Sequence, residues 1–201
     1  FPKDLRKWLN DNCESKTLDV VDSVISSETG TQKFIFETKD KNRIESVIIP
    51  DEKRTTLCIS TQVGCPLDCK FCATGLMSYK KNLTSGEIFD QYLLASNHYG
   101  KDRITNIVYM GMGEPLLNYS NVLASIEKIT SPEGLGMSPK RITVSTAGIA
   151  KMIKKLGDDQ VRFNLALSLH AANDDKRNTI MPINEQNSLE ALVEALNYFY
   201  E

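Results

Sequence analysis

Three of the five cysteines, Cys65, Cys69 and Cys72, fall within eight residues as C-x3-C-x2-C. An odd count with three members crowded together is not a disulfide framework; thiols at this spacing point to metal. A structural zinc site wants four protein ligands, and no fourth Cys or His lies near the run. An iron–sulfur cube also wants four ligands, so three thiolates leave one iron open to a small molecule. Open metal positions are where chemistry happens. Other residues of reactive type sit in short loops: Gly111-Met112-Gly113-Glu114-Pro115, Ser145-Thr146-Ala147-Gly148 and Ser168-Leu169-His170. Taken singly each has a bland reading. Gly-Met-Gly lacks the rest of a dinucleotide or phosphate loop and reads equally well as a tight turn. Glu114 alone reads as a solvated loop acid. A lone His170 is more often structural than a ligand, and His98 sits where it would stabilise a helix end.

The elements that must position these residues follow from periodicity. Leu5, Trp8 and Leu9, then Leu18 to Ile25, suggest small helices. Lys33 to Thr38 and Arg43 to Ile49 alternate apolar and polar residues across Lys39-Asp40-Lys41-Asn42, a hairpin signal. Pro50 and the charged run to Arg54 place a boundary near residue 52, giving an accessory segment 1–52 and a core 53–201. Beyond it, strand, loop and helix repeat four times. The strands are Thr56 to Ser60, Ile104 to Met110, Arg141 to Ser145 and Val161 to Leu169, and the helices begin near Thr84, Asn121, Ile149 and Ser188. Thr84 with Glu87 is a capping box. Four such units predict an α/β fold with a parallel sheet and right-handed crossovers, its site at the C-terminal strand ends, where the cysteine, glycine, serine and histidine loops all lie. Helical register still runs at Glu201 and the first residue is Phe, so the chain is expected to be a fragment of a longer protein.

Composition narrows the class. In 201 residues, 24 Lys and Arg face 26 Asp and Glu, and 41% are hydrophobic, which is ordinary globular usage. Disorder, collagen and a membrane channel are excluded, since no run approaches the ~18 apolar residues of a span. The start has no apolar run like that of a signal peptide, so no membrane partner and a cytoplasmic location are expected. The near-zero charge gives no support to nucleic-acid binding by itself. The positive residues are scattered: Lys39, Lys41, Arg43, Lys53, Arg54, and Lys80-Lys81, the last pair being the first to test for phosphate contact.

Together the loops resemble the radical S-adenosylmethionine (SAM) superfamily, with Cys65-Pro66-Leu67-Asp68-Cys69-Lys70-Phe71-Cys72 matching its C-x3-C-x2-C loop. The wider set is similar to its RlmN/Cfr family of RNA adenine methyltransferases over residues 33–201. That set is Thr56 to Cys65, Phe71 to Gly75, Met110 to Pro115, Ser145 to Gly148, Ser168 to Ala171 and Met181 to Asn184. Pro115 after Gly-Met-Gly-Glu favours the C2 branch. The resemblance implies a partial TIM-like (β/α)6 barrel, cut after about four units and preceded by a small helix and β-hairpin. Cys65, Cys69 and Cys72 would hold a [4Fe–4S] cluster completed by SAM, with Gly113, Glu114, Ser145, Ser168, Leu169 and His170 matching cofactor contacts. Reduction would generate a 5′-deoxyadenosyl radical.

The implied reaction is methylation of C2 of adenosine in 23S rRNA and in tRNA next to the anticodon, through a methyl-cysteine, with flavodoxin or ferredoxin as electron donor. Cys58 matches the second reactive cysteine, which releases the RNA adduct and leaves a transient disulfide. Otherwise it reads as a small buried strand residue. Glu45 matches the family's proton acceptor; by position alone it is an exposed strand acid. Cys13 matches nothing. No cysteine follows Cys72, so the methyl-carrying residue is expected beyond Glu201 and this polypeptide is expected not to methylate RNA. The alternatives are the C8-methylating branch and a non-catalytic metal-binding module that scaffolds RNA.

Overall fold

The computed structural model describes residues 1–13, 16–100 and 104–201. In chain order its elements are α1 (Lys3–Asn12), β1 (Leu18–Ile25), β2 (Gln32–Thr38), β3 (Arg43–Pro50), β4 (Thr55–Cys58), β5 (Gln62–Val63), β6 (Lys81–Asn82), α2 (Ser85–Tyr99) and β7 (Asn106–Tyr109). They continue with α3 (Tyr119–Thr130), β8 (Ile142–Thr146), α4 (Ala150–Asp158), β9 (Asn164–Leu167), α5 (Asp174–Ile180) and α6 (Leu189–Tyr200). Seven strands form one sheet in the order β1-β2-β3-β4-β7-β8-β9. The first four are antiparallel neighbours, and β4, β7, β8 and β9 run parallel. This is a partial β/α barrel of four parallel units with an antiparallel extension.

Residues 18–25 differ from the helix expected there: they form β1. Val20, Val21, Val24 and Ile25 are β-branched and lose side-chain freedom in a helix, while pairing with β2 gives the backbone its partners. A bulge between Val20 and Asp22 breaks the alternation on which a strand reading depends. The boundary expected near residue 52 falls in the turn between β3 and β4, across which pairing continues from Val47↔Cys58 to Pro50↔Thr55. Hairpin and barrel also share one core. Phe34, Phe36, Ile44 and Ile48 from the hairpin pack in the same cluster as Leu57, Ile107 and Val144 from the parallel strands. Each such fully buried side chain contributes roughly 1.5–3 kcal/mol.

Helix α2 shows how local sequence sets an element's limits. The Thr84 hydroxyl accepts from the Glu87 N–H at 3.2 Å, the Glu87 carboxylate accepts from the Thr84 N–H at 2.8 Å, and Gly100 ends the helix in the left-handed region. Thr84→Ala is expected to cost about 1 kcal/mol, lowering the thermal midpoint by roughly 2–4 °C. Calorimetry checks it, and an unchanged midpoint would show that the cap carries no stability.

Candidate active site

The loop 64–80 that carries the three cysteines is closed at its base by the β5–β6 pair. Gly64 begins it with φ +72°, and a Cβ there would sit 2.3 Å from the Ser78 carbonyl oxygen, so only glycine lets the two arms meet. Successive turns, Cys72 N–H to Cys69 O at 3.0 Å and Gly75 N–H to Cys72 O at 2.9 Å, wind the loop so that its thiols face inward. Cys65, Cys69 and Cys72 line one cleft of about 260 Å³ over the C-terminal ends of the parallel strands. Met110, Gly111, Gly113 and Glu114 after β7, Ser145 to Ala147 at the end of β8, and Ser168 and His170 after β9 line it too.

Of the expected site residues, eight therefore share this cleft: Cys65, Cys69, Cys72, Gly113, Glu114, Ser145, Ser168 and His170. Leu169 does not line it; its side chain is exposed while its carbonyl points to the protein interior. Cys58, on β4, does not line the cleft, and its thiol lies beside the Met110 backbone N–H. Burial pushes its thiol up to about 11, the neighbouring Met110 backbone N–H pulling the other way. Cys58 is therefore expected to alkylate much more slowly at pH 8 than the exposed Cys13, and mass spectrometry of a brief iodoacetamide pulse reads the difference. Equal labelling would place Cys58 at the surface. Glu45 sits apart, in a second hollow of about 240 Å³ with Ile35, Arg43, Thr74, Met77 and Met112, and pairs with Lys33 at 2.7 Å. The Ser60 hydroxyl donates to the Glu45 carbonyl at 2.6 Å and accepts from the Met112 N–H at 2.9 Å, tying this strand to the glycine loop.

Glu114 is not a solvated loop acid. It is 3% exposed, and its two oxygens accept from the Leu116 N–H at 3.0 Å and the Ala147 N–H at 2.8 Å. Burial raises its pKa above the ordinary 4.5 despite those hydrogen bonds. Among the described residues no cation pairs with it, so the cleft holds a carboxylate with spare acceptor capacity and no countercharge, a receptor for an ammonium group. Gly113, at φ +98°, makes room: a Cβ there would lie 2.5 Å from the Gln62 Cβ, and Gln62 Oε1 accepts from the Glu114 N–H at 2.8 Å. Ser145 and Ser168 place their hydroxyls 3.3 Å apart, and His170 packs its ring 4.1 Å from that of Phe71.

The donor set fits an iron–sulfur cube. Burial raises the thiols of Cys65 and Cys69; Glu114 and Cys72 add to it at Cys65 against the Leu67 backbone N–H, and Cys65, Cys72 and Glu114 add to it at Cys69, which is pushed up to about 11. Among the described residues no three His, Cys, Asp or Glu side chains converge as the ligands of a single ion would. A cube spreads its thiolates over separate irons and asks only that three reach one cavity.

Residues 59–201 match the Radical SAM superfamily. The chain belongs to that superfamily. Its membership implies a [4Fe–4S] cluster and SAM, the groups that the thiols and Glu114 suit. Within the radical SAM superfamily the chain is 56% identical over 201 residues to a probable dual-specificity RNA methyltransferase RlmN of Cytophaga hutchinsonii, covering 98% of this chain and 54% of that protein. It is 43% identical over 196 residues to one so named from Aquifex aeolicus, covering 96% and 56%. A crystal structure of a radical SAM methyltransferase from Sphaerobacter thermophilus superposes with a TM-score of 0.93 at 38% identity, over 99% of this chain and 59% of that one. The chain thus spans about half the length of the curated relatives it matches.

Two features were not expected. The segment between β9 and α6, read as a long loop, contains α5, capped by Asn173 Oδ1 accepting from the Lys176 N–H at 2.8 Å. Asn-Asp-Asp is a start signal, but seven residues with little apolar periodicity conceal the helix. Within it Arg177 is wholly buried. Of the cations singled out for phosphate, Lys81 is committed to Glu87 at 2.8 Å and Asp40 at 3.0 Å, and Lys80 is exposed. No described helix is long and apolar enough to cross a membrane.

Proposed function

We propose that this chain supplies the radical-generating part of an RNA methyltransferase acting on C2 of adenosine in 23S rRNA and in tRNA next to the anticodon. The observation that carries the reading is the cleft itself: three thiols and a buried carboxylate that no described cation pairs with line it together in a chain similar to the RlmN proteins. Cys65, Cys69 and Cys72 would hold the cluster. Bound there, the cluster supplies one electron for the reductive cleavage of SAM.

The chain's own residues orient that cofactor. Glu114 receives its ammonium group, Gly113 leaves the space beside it, and Ser145, Ser168 and His170 form the facing wall, the Leu169 carbonyl holding the His170 turn from behind. Tyr109, which is buried, and Met110 line the cleft beside them. Cys58, paired with Val108 beside Tyr109, would serve as the thiol that attacks the sulfur of the methyl-carrying cysteine of the longer protein, breaking its bond to the RNA-linked carbon and leaving a transient disulfide between the two cysteines, and Glu45, in the hollow beside the glycine loop, would accept a proton. Flavodoxin or ferredoxin is the electron donor, and the cytoplasm the location.

The product tests the reading. Reduced, cluster-loaded polypeptide incubated with SAM and with 23S rRNA or tRNA is expected to yield 5′-deoxyadenosine and no methyladenosine, because no cysteine follows Cys72 to carry the methyl group. Supplying a thiol-bearing remainder from an RlmN relative in the same chain is expected to give 2-methyladenosine. Formation of 8-methyladenosine would instead assign the C8 reaction, and an inert cluster would favour a scaffold.

A further inference from the structure

Arg177 is wholly buried, and its guanidinium makes four hydrogen bonds. Nε donates to the Leu169 carbonyl at 3.1 Å, Nη2 to the carbonyls of Ala147 at 2.5 Å and Ser168 at 3.2 Å, and Nη1 to Asn184 Oδ1. None of these acceptors is a carboxylate. Asp174 is reached only at one remove, through Asn184 Nδ2 at 2.8 Å. Burying a guanidinium is costly unless it is paired, and a lone structural tie would ask for a cheaper donor. The acceptors explain its place, because the three carbonyls belong to the segments that end β8 and β9, where Ala147 and Ser168 line the cleft and Leu169 precedes His170.

Two chains of contact lead from it. Ala147 is gripped on both sides: its carbonyl by Arg177, its N–H by Glu114 Oε2 at 2.8 Å. The Leu169 carbonyl also accepts from the Ala171 N–H at 2.7 Å, which closes a tight turn around His170 at φ +56°, a strained conformation for a residue with a Cβ. That turn lays the His170 ring on Phe71, next to Cys72. The far end of α5 touches the cysteine loop directly, the Ile180 carbonyl accepting from the Lys70 N–H at 3.0 Å.

We propose that Arg177 is the positioning residue of the cleft, fixing Glu114 through Ala147 and the strained His170 turn through Leu169, so that the two walls meet SAM at a set separation. The inference rests on the reading of the cleft as the SAM site. A planar fork with donors in fixed directions can hold three carbonyls at once, and a lysine ammonium, though equally charged, cannot match that geometry.

The test compares wild type, Arg177→Lys and Arg177→Met after anaerobic reconstitution. Iron content, SAM affinity by equilibrium dialysis, the change in the reduced-cluster electron paramagnetic resonance spectrum on adding SAM, and the thermal midpoint are read on each. Amide exchange of residues 145–148 and 168–171 is followed on the metal-free proteins. Arg177→Lys is expected to stay folded and keep its iron, to exchange faster in both segments, and to bind SAM about tenfold more weakly with an altered spectrum, the loss of one or two charge-assisted hydrogen bonds acting at a distance. SAM binding within twofold of wild type by folded Arg177→Lys would overturn the inference, even with a lowered midpoint, since the residue would then be merely structural. Arg177→Met is expected to weaken binding further, and if it does not fold the lysine variant decides alone. A wild type that takes up no cluster or no SAM overturns the reading of the cleft itself, an outcome distinct from the equal binding that overturns only the role of Arg177.

Discussion

Glu114→Gln is expected to weaken SAM binding by about 100-fold while leaving the fold within about 1 kcal/mol of wild type. The carboxylate is buried, its two oxygens are oriented by the Leu116 and Ala147 amides, and no described cation answers its charge. An ammonium entering the cleft gains a desolvated countercharge that glutamine does not offer. In the fold, removing the buried charge offsets the loss of one acceptor for a backbone N–H. The pH dependence separates the two effects. The folded-state pKa of Glu114 is raised from 4.5 by burial, so its stabilising contribution is full below 4.5 and is lost as pH rises through the folded value. Wild-type protein without cofactor is therefore expected to lose stability over that interval, and Glu114→Gln to lose less. Asp40, lowered from 3.8 to about 2 by its Thr38 and Lys81 hydrogen bonds, acts in a separate window, losing its contribution as pH falls through about 2. Unchanged SAM affinity in Glu114→Gln would remove the carboxylate from the cofactor site.

Cys69→Ser is expected to abolish cluster retention, with iron falling from about four per chain to near zero and SAM cleavage lost with it. Cys69 lines the cleft, packs with Leu67, Ala147 and Met181, and lies between Cys65 and Cys72 in the loop that the β5–β6 pair closes. Serine keeps the volume and the turn, so the far-ultraviolet circular dichroism should not change. Iron and sulfide analysis with the 400 nm absorption reads the result. Full retention of a four-iron cluster would show that another side chain ligates it.

Much of the site was legible because its chemistry is local in sequence. The thiols are neighbours in one loop, Glu114, Ser168 and His170 follow strands and Ser145 ends one, so a parallel sheet brings them together. What stayed hidden depends on tertiary context. The burial of Glu114, as opposed to its place in the site, shows only when Gln62, Leu116 and Ala147 surround it. Arg177 lies in a polar stretch, Asp174 to Asn178, whose apolar content gives no sign of burial; only the convergence of three carbonyls and Asn184 makes its place intelligible. Strand β1 reads as helix from its apolar spacing because its bulge disrupts alternation.

The most direct measurement is 5′-deoxyadenosine formation by the anaerobically reconstituted, reduced polypeptide supplied with SAM. A cleft that holds both the cluster and SAM predicts 5′-deoxyadenosine formed in proportion to cluster content and absent from Cys69→Ser. Four irons per chain with SAM left intact would contradict it.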